Sequence, residues 1–251
     1  MLRFFRALRQ KLLSENRLGK YTLYALGEIL LVVVGILIAF QLDAWREEAG
    51  EKRLEQKALR NLQLDFQYNR GQLHEVIQNN KKNLEVCMEI LSHTGRRNDN
   101  SFQMDASLGY VTNSPPYFPQ NGFLLDLINS GNLGLFKSDL LRNRLSLWLP
   151  TLETLKGREA LCVEFDNGMI RFIFKHGSWL NSDQYDPNET IRRLDFPESG
   201  FDVDNNELLN SPEFENRIEN QVVFFAMLLE EQEKCLKLND EILALLEGEI
   251  E

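Results

Sequence analysis

The chain has 251 residues, 43% hydrophobic and 26% charged, a balance that suits a folded protein and excludes a disordered or collagen-like one. Fifteen Gly and seven Pro are too few for a turn-dense β protein. The net charge of −10 argues against nucleic acid as a partner, because phosphate binding rests on a basic surface.

That charge is divided unevenly. Residues 1–20 carry six basic groups, Arg3, Arg6, Arg9, Lys11, Arg17 and Lys20, against one acid, Glu15, for a net +5 that leaves −15 on the remainder. Met1, Phe4, Phe5, Leu8 and Leu12 recur at helical spacing on one face, with Arg3, Arg6 and Arg9 on another. The pattern predicts a basic amphipathic arm, residues 1–20, lying on a bilayer surface with its cations on anionic headgroups. A partner-binding helix or a frayed tail is the alternative.

Residues 21–45 read as a transmembrane helix. Leu23 to Phe40, LYALGEILLVVVGILIAF, is eighteen residues long with Glu28 as its one ionisable group. At 1.5 Å per residue it covers roughly 27 Å, close to a hydrocarbon core of about 30 Å. Tyr21 and Tyr24 flank one end and Trp45 the other, as interfacial aromatics do. The twenty-residue charged lead and the absence of a small-x-small cleavage site favour an uncleaved anchor.

Basic residues nearly tie across the span, six in residues 1–20 against five in residues 41–60. Energetics break the tie. Moving the arm outward against an inside-negative potential costs about 2.3 kcal/mol per charge per 100 mV. The arm is therefore expected in the cytoplasm and the acidic body outside. Gly27, Leu31, Gly35 and Ala39 share one stripe, and the small residues Gly27, Gly35 and Ala39 would let two helices approach closely. Glu28 has two readings: a specific intramembrane contact, or a carboxylate snorkelling toward Lys20 and the headgroups.

Residues 46–251 are predicted to form an extracytoplasmic helical bundle. Arg46 to about Leu91 lacks proline and carries a seam of Leu54, Ala58, Leu62, Phe66, Leu73, Val76 or Ile77, Leu84, Cys87 and Leu91. Gly95 to Gln120 breaks the pattern, with a short helix at Met104 to Val111. Another helix runs from Gly122 to Ser130 and stops at Gly131 as a left-handed cap. Ser138 caps a helix reaching about Lys175, with Leu141, Leu145, Trp148, Leu152, Leu155, Ala160, Val163, Ile170 and Phe174 inward and Pro150 as a kink. Gly177 to Asn210 is a connecting stretch. Ser211-Pro212-Glu213 then starts a final helix carrying Phe214, Ile218, Val222, Phe225, Leu229, Leu236, Ile242 and Leu246. The fold class is all-α: an interfacial helix, one transmembrane helix, then an elongated antiparallel bundle.

Two blocks carry a family likeness. Phe4-Phe5-Arg6, Lys11 to Glu15, Gly19-Lys20-Tyr21, Tyr24 to Ala39 and Trp45 form the first; Ile128-Asn129-Ser130-Gly131-Asn132-Leu133-Gly134-Leu135 with Leu141-Arg142 forms the second. Together they resemble the bacterial membrane proteins grouped as domain of unknown function 6090. Asp43-Ala44, where polar Asn-type residues are expected, is a departure. The resemblance implies a single-pass inner-membrane protein of unassigned function; the charge argument above puts its body in the periplasm. It brings no catalytic residue, and it makes Glu28 part of a family pattern. The turn of Ser130, Gly131, Leu133 and Arg142 reads as a clasp, with Leu133, Leu135 and Phe136 folded back and Arg142 reaching carbonyls of the preceding helix.

The sequence lacks a phosphate loop, zinc spacing and a nucleophile elbow, so no enzyme, metal or cofactor is expected. Glu89 with His93 is a weak metal pair, and His74 and His176 stand apart from it. Cys87, Cys162 and Cys235 sit at or beside apolar helix positions and read as buried small hydrophobes, with one bridge as the alternative. Asp202, Asp204, Asn206 and Glu207 resemble a calcium loop without its spacing. Two functions remain open. One is a structural or interaction protein binding a protein partner or a second copy. The other is a sensory or ligand-binding module that acts through a partner's output domain.

Overall fold

The computed structural model describes residues 18–98, 101–186, 188–197 and 199–251. Helix α1, Leu18–Ser92, is 75 residues long and continues through Gly71. By compactness the chain divides into Met1–Lys57 and Ala58–Glu251. In the first unit α1 is apolar all round: Leu26, Ile29 to Val34, Ile36 to Ile38 and Phe40 are exposed on every face. This helix near the N-terminus is long and apolar enough to cross a membrane. Its most apolar window has a mean hydropathy of 2.4, and none of that window is buried within the chain. Leu54, expected on the seam, is 57% exposed; the seam starts one turn later at Ala58.

The second unit is built from the rest of α1, from α4 (Asp139–His176) and from α7 (Pro212–Glu249), joined by short helices α2 (Asp105–Leu108), α3 (Gly122–Asn129), α5 (Trp179–Asp183) and α6 (Glu189–Arg192). No strand occurs among the described residues. The long helices begin where local chemistry places them. Ser138 Oγ accepts the Leu141 N–H, and Ser211 Oγ accepts the Phe214 N–H with Pro212 in the first turn. α1 ends ahead of Gly95 at φ +59°, and α3 ends at Gly131 with φ +72°. α4 runs unbroken through Pro150.

Cross-helix bonds give the directions. Asn239 donates to the Phe66 carbonyl at 3.1 Å, and Arg70 pairs with Asp240 at 2.8 Å and Lys81 with Glu233 at 2.9 Å. Arg144 pairs with Glu241 at 3.0 Å, and Arg217 reaches the Gly168 carbonyl at 3.3 Å. Hence α7 is antiparallel to both α1 and α4, while those two run parallel. Residues 93–138 make the return that this parallel pair requires.

Two apolar clusters fill the unit. One gathers Leu62, Phe66, Leu141, Leu145, Trp148, Ile242 and Leu246, with the Phe66 and Trp148 rings edge to face at 5.0 Å. The other gathers Ile90, Met104, Leu108, Val111, Phe172, Phe214 and Phe225. In α4 the register differs from expectation beyond Leu155. Cys162, Asp166, Met169, Phe172 and Ile173 are buried, whereas Ala160, Val163 and Phe174 are exposed and Ile170 is half-buried. From Leu155 the buried positions step by seven to Cys162, holding the 3.5-residue period that packing on α7 demands. That period admits Asp166 to the interior, a position an apolar count passes over. In α7 the same effect buries Gln221, Leu228, Gln232 and Asn239 and leaves Val222, Leu229 and Leu236 half-buried.

The return stretch is largely irregular, so its backbone groups need partners from the helices. Asn69 supplies a pair: its Nδ2 donates to the Gln120 carbonyl at 2.9 Å and its Oδ1 accepts the Gln120 N–H at 2.7 Å. Asn83 donates to the Asn113 carbonyl, and Glu159 accepts the Tyr117 N–H at 2.9 Å. Trp148 Nε1–H donates to Asn121 at 2.9 Å. Asn69→Ala should cost about 1–2 kcal/mol, because it removes the partner of both the N–H and the carbonyl of Gln120 and empties a buried amide position. Asn69→Asp, which keeps the acceptor alone, should fall between Asn69→Ala and the native protein in urea unfolding. Equal stability for all three would refute the seam of amides.

Candidate functional site

Of the residues expected to meet the bilayer, Arg3, Arg6, Arg9, Lys11 and Arg17 lie outside the described residues, and Lys20 is on the first turns of α1. Gly27, Glu28, Gly35 and Ala39 are on exposed α1 surface. A Cβ added at Gly27 or Gly35 would meet no atom within 4 Å, so the small-residue side is open within this chain.

The turn of residues 129–142 is compact. Ser130 Oγ donates to the Asp126 carbonyl at 2.6 Å, and Gly131 takes the left-handed conformation. Leu133 and Leu135 pack half-buried on the core, and Phe136 is fully buried. Arg142 donates to the Phe136 carbonyl and to the Asp139 carboxylate. Its partners therefore belong to the turn and its own helix, not to the helix before it. The Phe136 carbonyl and the Asp139 carboxylate lie beside the first turn of α4 and take up the guanidinium there. At Gly131 an added Cβ would meet nothing within 4 Å, so the cost of a substitution is purely conformational. Gly131→Val should destabilise the protein by about 1–3 kcal/mol in thermal melts. Gly131→Asn, which tolerates positive φ, should cost clearly less. The opposite order would remove backbone strain as the reason for glycine.

Between the two apolar clusters runs a belt of buried polar groups. Asn80 Nδ2 donates to the Phe225 carbonyl at 3.0 Å and to Gln232 at 3.2 Å. Gln221 Nε2 donates to the Val111 carbonyl at 2.5 Å and to Asp166 at 2.7 Å. Burial pushes the Asp166 carboxyl above the usual carboxylate range, against opposing hydrogen bonds from Ser114 and Gln221. A second polar knot ties the stretch after α4. Asn205 accepts the Ser178 N–H at 2.7 Å and donates to the Ser178 carbonyl at 2.8 Å and to Asp105 at 2.6 Å. A Cβ on Gly177 would stand 2.6 Å from the Asn205 Oδ1, so this approach requires glycine.

The remaining candidates are drawn into local structure. Among the described residues no three His, Cys, Asp or Glu side chains gather as a metal site. His93 stacks on Phe102 at 4.6 Å, His176 lies against Phe172 at 4.6 Å, and His74 is exposed. Asp204 caps the turn at Asn205–Asn210 by accepting the Asn206 N–H, and Asn206 accepts the Met104 N–H at 3.0 Å. Cys87, Cys162 and Cys235 are buried and unbridged, and burial pushes each thiol up to about 12. Thiols so raised stay protonated and are poor nucleophiles.

The buried carboxyl gives a pH signature. A folded-state value raised above 3.8 means that the stabilising contribution is fully present below that pH and is lost as pH rises through the folded value. Asp166→Asn keeps an acceptor for Gln221 and cannot ionise. It should raise stability at pH 7 by on the order of 1 kcal/mol, and the gain should vanish below about pH 4. A gain that is constant with pH would assign it to something other than the carboxylate.

With this geometry in view, one family model matches: residues 28–147 fit the one described as Family of unknown function (DUF6090). The likeness read from the two sequence blocks is thus confirmed over that segment, which holds most of α1, the return stretch and the turn before α4. No curated protein and no solved structure matches the chain.

Proposed function

We propose that this chain, whose residues 28–147 fit the DUF6090 family model, is a non-enzymatic, membrane-anchored helical-bundle protein of the bacterial inner membrane. Its role is to hold a protein partner or a second copy of itself at the membrane surface. The observation that carries the reading is the apolar window of α1, none of which is buried by the chain's own residues. An apolar cylinder of that length is stable only in lipid or against other apolar helices. The arm of residues 1–20, at +5, supports a cytoplasmic N-terminus resting on anionic headgroups, with the −15 remainder in the periplasm. The open side at Gly27, Gly35 and Ala39 supports close packing of a second helix, with Glu28 on a neighbouring line of α1. In the body, the buried polar groups Asn69, Asn205 and Gln221 are engaged in internal bonds that hold shape, which favours an interaction module over a catalyst.

Single cysteines test this reading. With Cys87, Cys162 and Cys235 buried, background labelling is low. In intact spheroplasts Asp202→Cys should react with an impermeant thiol reagent and Ser14→Cys should not. In the same membranes Gly35→Leu should weaken crosslinking to whatever helix packs on α1. Reversed labelling overturns the orientation, extraction of the full chain by carbonate overturns the anchor, and crosslinking indifferent to Gly35→Leu overturns the packing face.

A further inference from the structure

On the α4–α7 seam two adjoining hollows of about 460 Å³ and 220 Å³ share Gly168, Arg171 and Arg217. They open because α4 has no side chain at Gly168, where Arg217 lies across the backbone with Nη1 at 3.3 Å from the carbonyl. Arg217 is itself fixed: Glu213 accepts from its Nε at 3.0 Å and its Nη2 at 2.7 Å, and the guanidinium lies 5.0 Å over the Phe172 ring. Its charge is thereby answered inside the protein. Arg171 and Lys175 differ. They stand four apart on one helix face, and among the described residues neither forms an ion pair. Like charges at this spacing repel, and the two carboxylates on the hollows do not pair with them: Glu213 is bonded to Arg217, and Glu164, which lines the smaller hollow with Arg171, forms no ion pair with it among the described residues.

The wall beside the two cations is aromatic. Phe174, placed inward by the sequence pattern, is 70% exposed and lines the larger hollow with Phe172 and His176. An exposed ring next to an unanswered guanidinium is complementary to a ligand with a flat apolar body and one anionic head. The geometry points to a site for a small aromatic carboxylate, its carboxylate taken bidentate by Arg171 with Lys175 beside it, its ring covering Phe174. The larger hollow is an open groove, roomy enough for a ligand laid along its aromatic side and open to solvent on the other. This site stands within the Ala58–Glu251 unit and holds whether or not the chain is anchored as proposed.

Calorimetric titration of the full chain in lipid nanodiscs with 2-naphthoate, against empty discs, tests it. One equivalent should bind. Neutral 2-naphthamide and inorganic phosphate, which carry the ring and the charge separately, should each bind at least about tenfold more weakly. Arg171→Gln with Lys175→Gln should weaken naphthoate by a similar factor with unchanged melting, and Phe174→Ala should weaken naphthoate while leaving phosphate as it was. No uptake of naphthoate, uptake that survives the double substitution, or equal uptake of naphthamide or phosphate would each overturn the site.

Discussion

The body of this protein depends on satisfying a backbone that runs beside helices without being one. Two parallel helices joined in sequence need a return path along their full length, and a helix or a strand pair would ordinarily supply it. Here the return is largely irregular, yet Met104, Leu108, Val111, Tyr117 and Phe136 on it are buried. The backbone beside these side chains is met from outside the stretch: by Asn69 and Asn83 on α1, Glu159 on α4 and Gln221 on α7. Each of the three long helices contributes a polar side chain to an element it follows or precedes by dozens of residues. The stretch is consequently specified by the bundle, and the bundle is closed by the stretch.

This arrangement explains why polar residues occupy core positions on all three helices. A uniformly apolar interface between α1, α4 and α7 would tolerate sliding by a heptad. The belt of Asn80, Gln232, Gln221 and Asp166 does not, because a shifted register breaks the Asn80–Gln232 and Gln221–Asp166 bonds. The ionic pairs along α7, such as Arg70 with Asp240 and Lys81 with Glu233, are half-exposed and contribute little to stability, but they agree with the same register.

Much of the fold was legible in the sequence for local reasons. Helix starts at Ser138 and Ser211-Pro212, and stops at Gly95 and Gly131, depend on a handful of adjacent atoms, and they lie within a residue or two of where composition places them. The apolar surface of α1 was equally plain, since a run with one ionisable residue has few other meanings. The inner face of α4 was not. Beyond Leu155 two registers compete, and the one that wins carries Asp166, which only a view of Gln221 and Ser114 makes acceptable. Asn69 and Asn205 were invisible for the same reason: an asparagine on a helix or in a loop reads as solvated until the backbone it serves is known. Nothing in the sequence singles out Arg171 or Lys175, and its apolar spacing puts Phe174 in the core. The hollow beside them exists because of Gly168 and Arg217, which are far apart in sequence.

The three cysteines have a consequence for how the body is made. All are buried and none is bridged, so the native state contains no bond that an oxidant must form or an isomerase must correct. Folding then has no covalent step. It can proceed at the same pace in a reducing or an oxidising compartment, and the finished body is indifferent to the thiol poise of its surroundings, because its sulfurs are reached only by first opening the core.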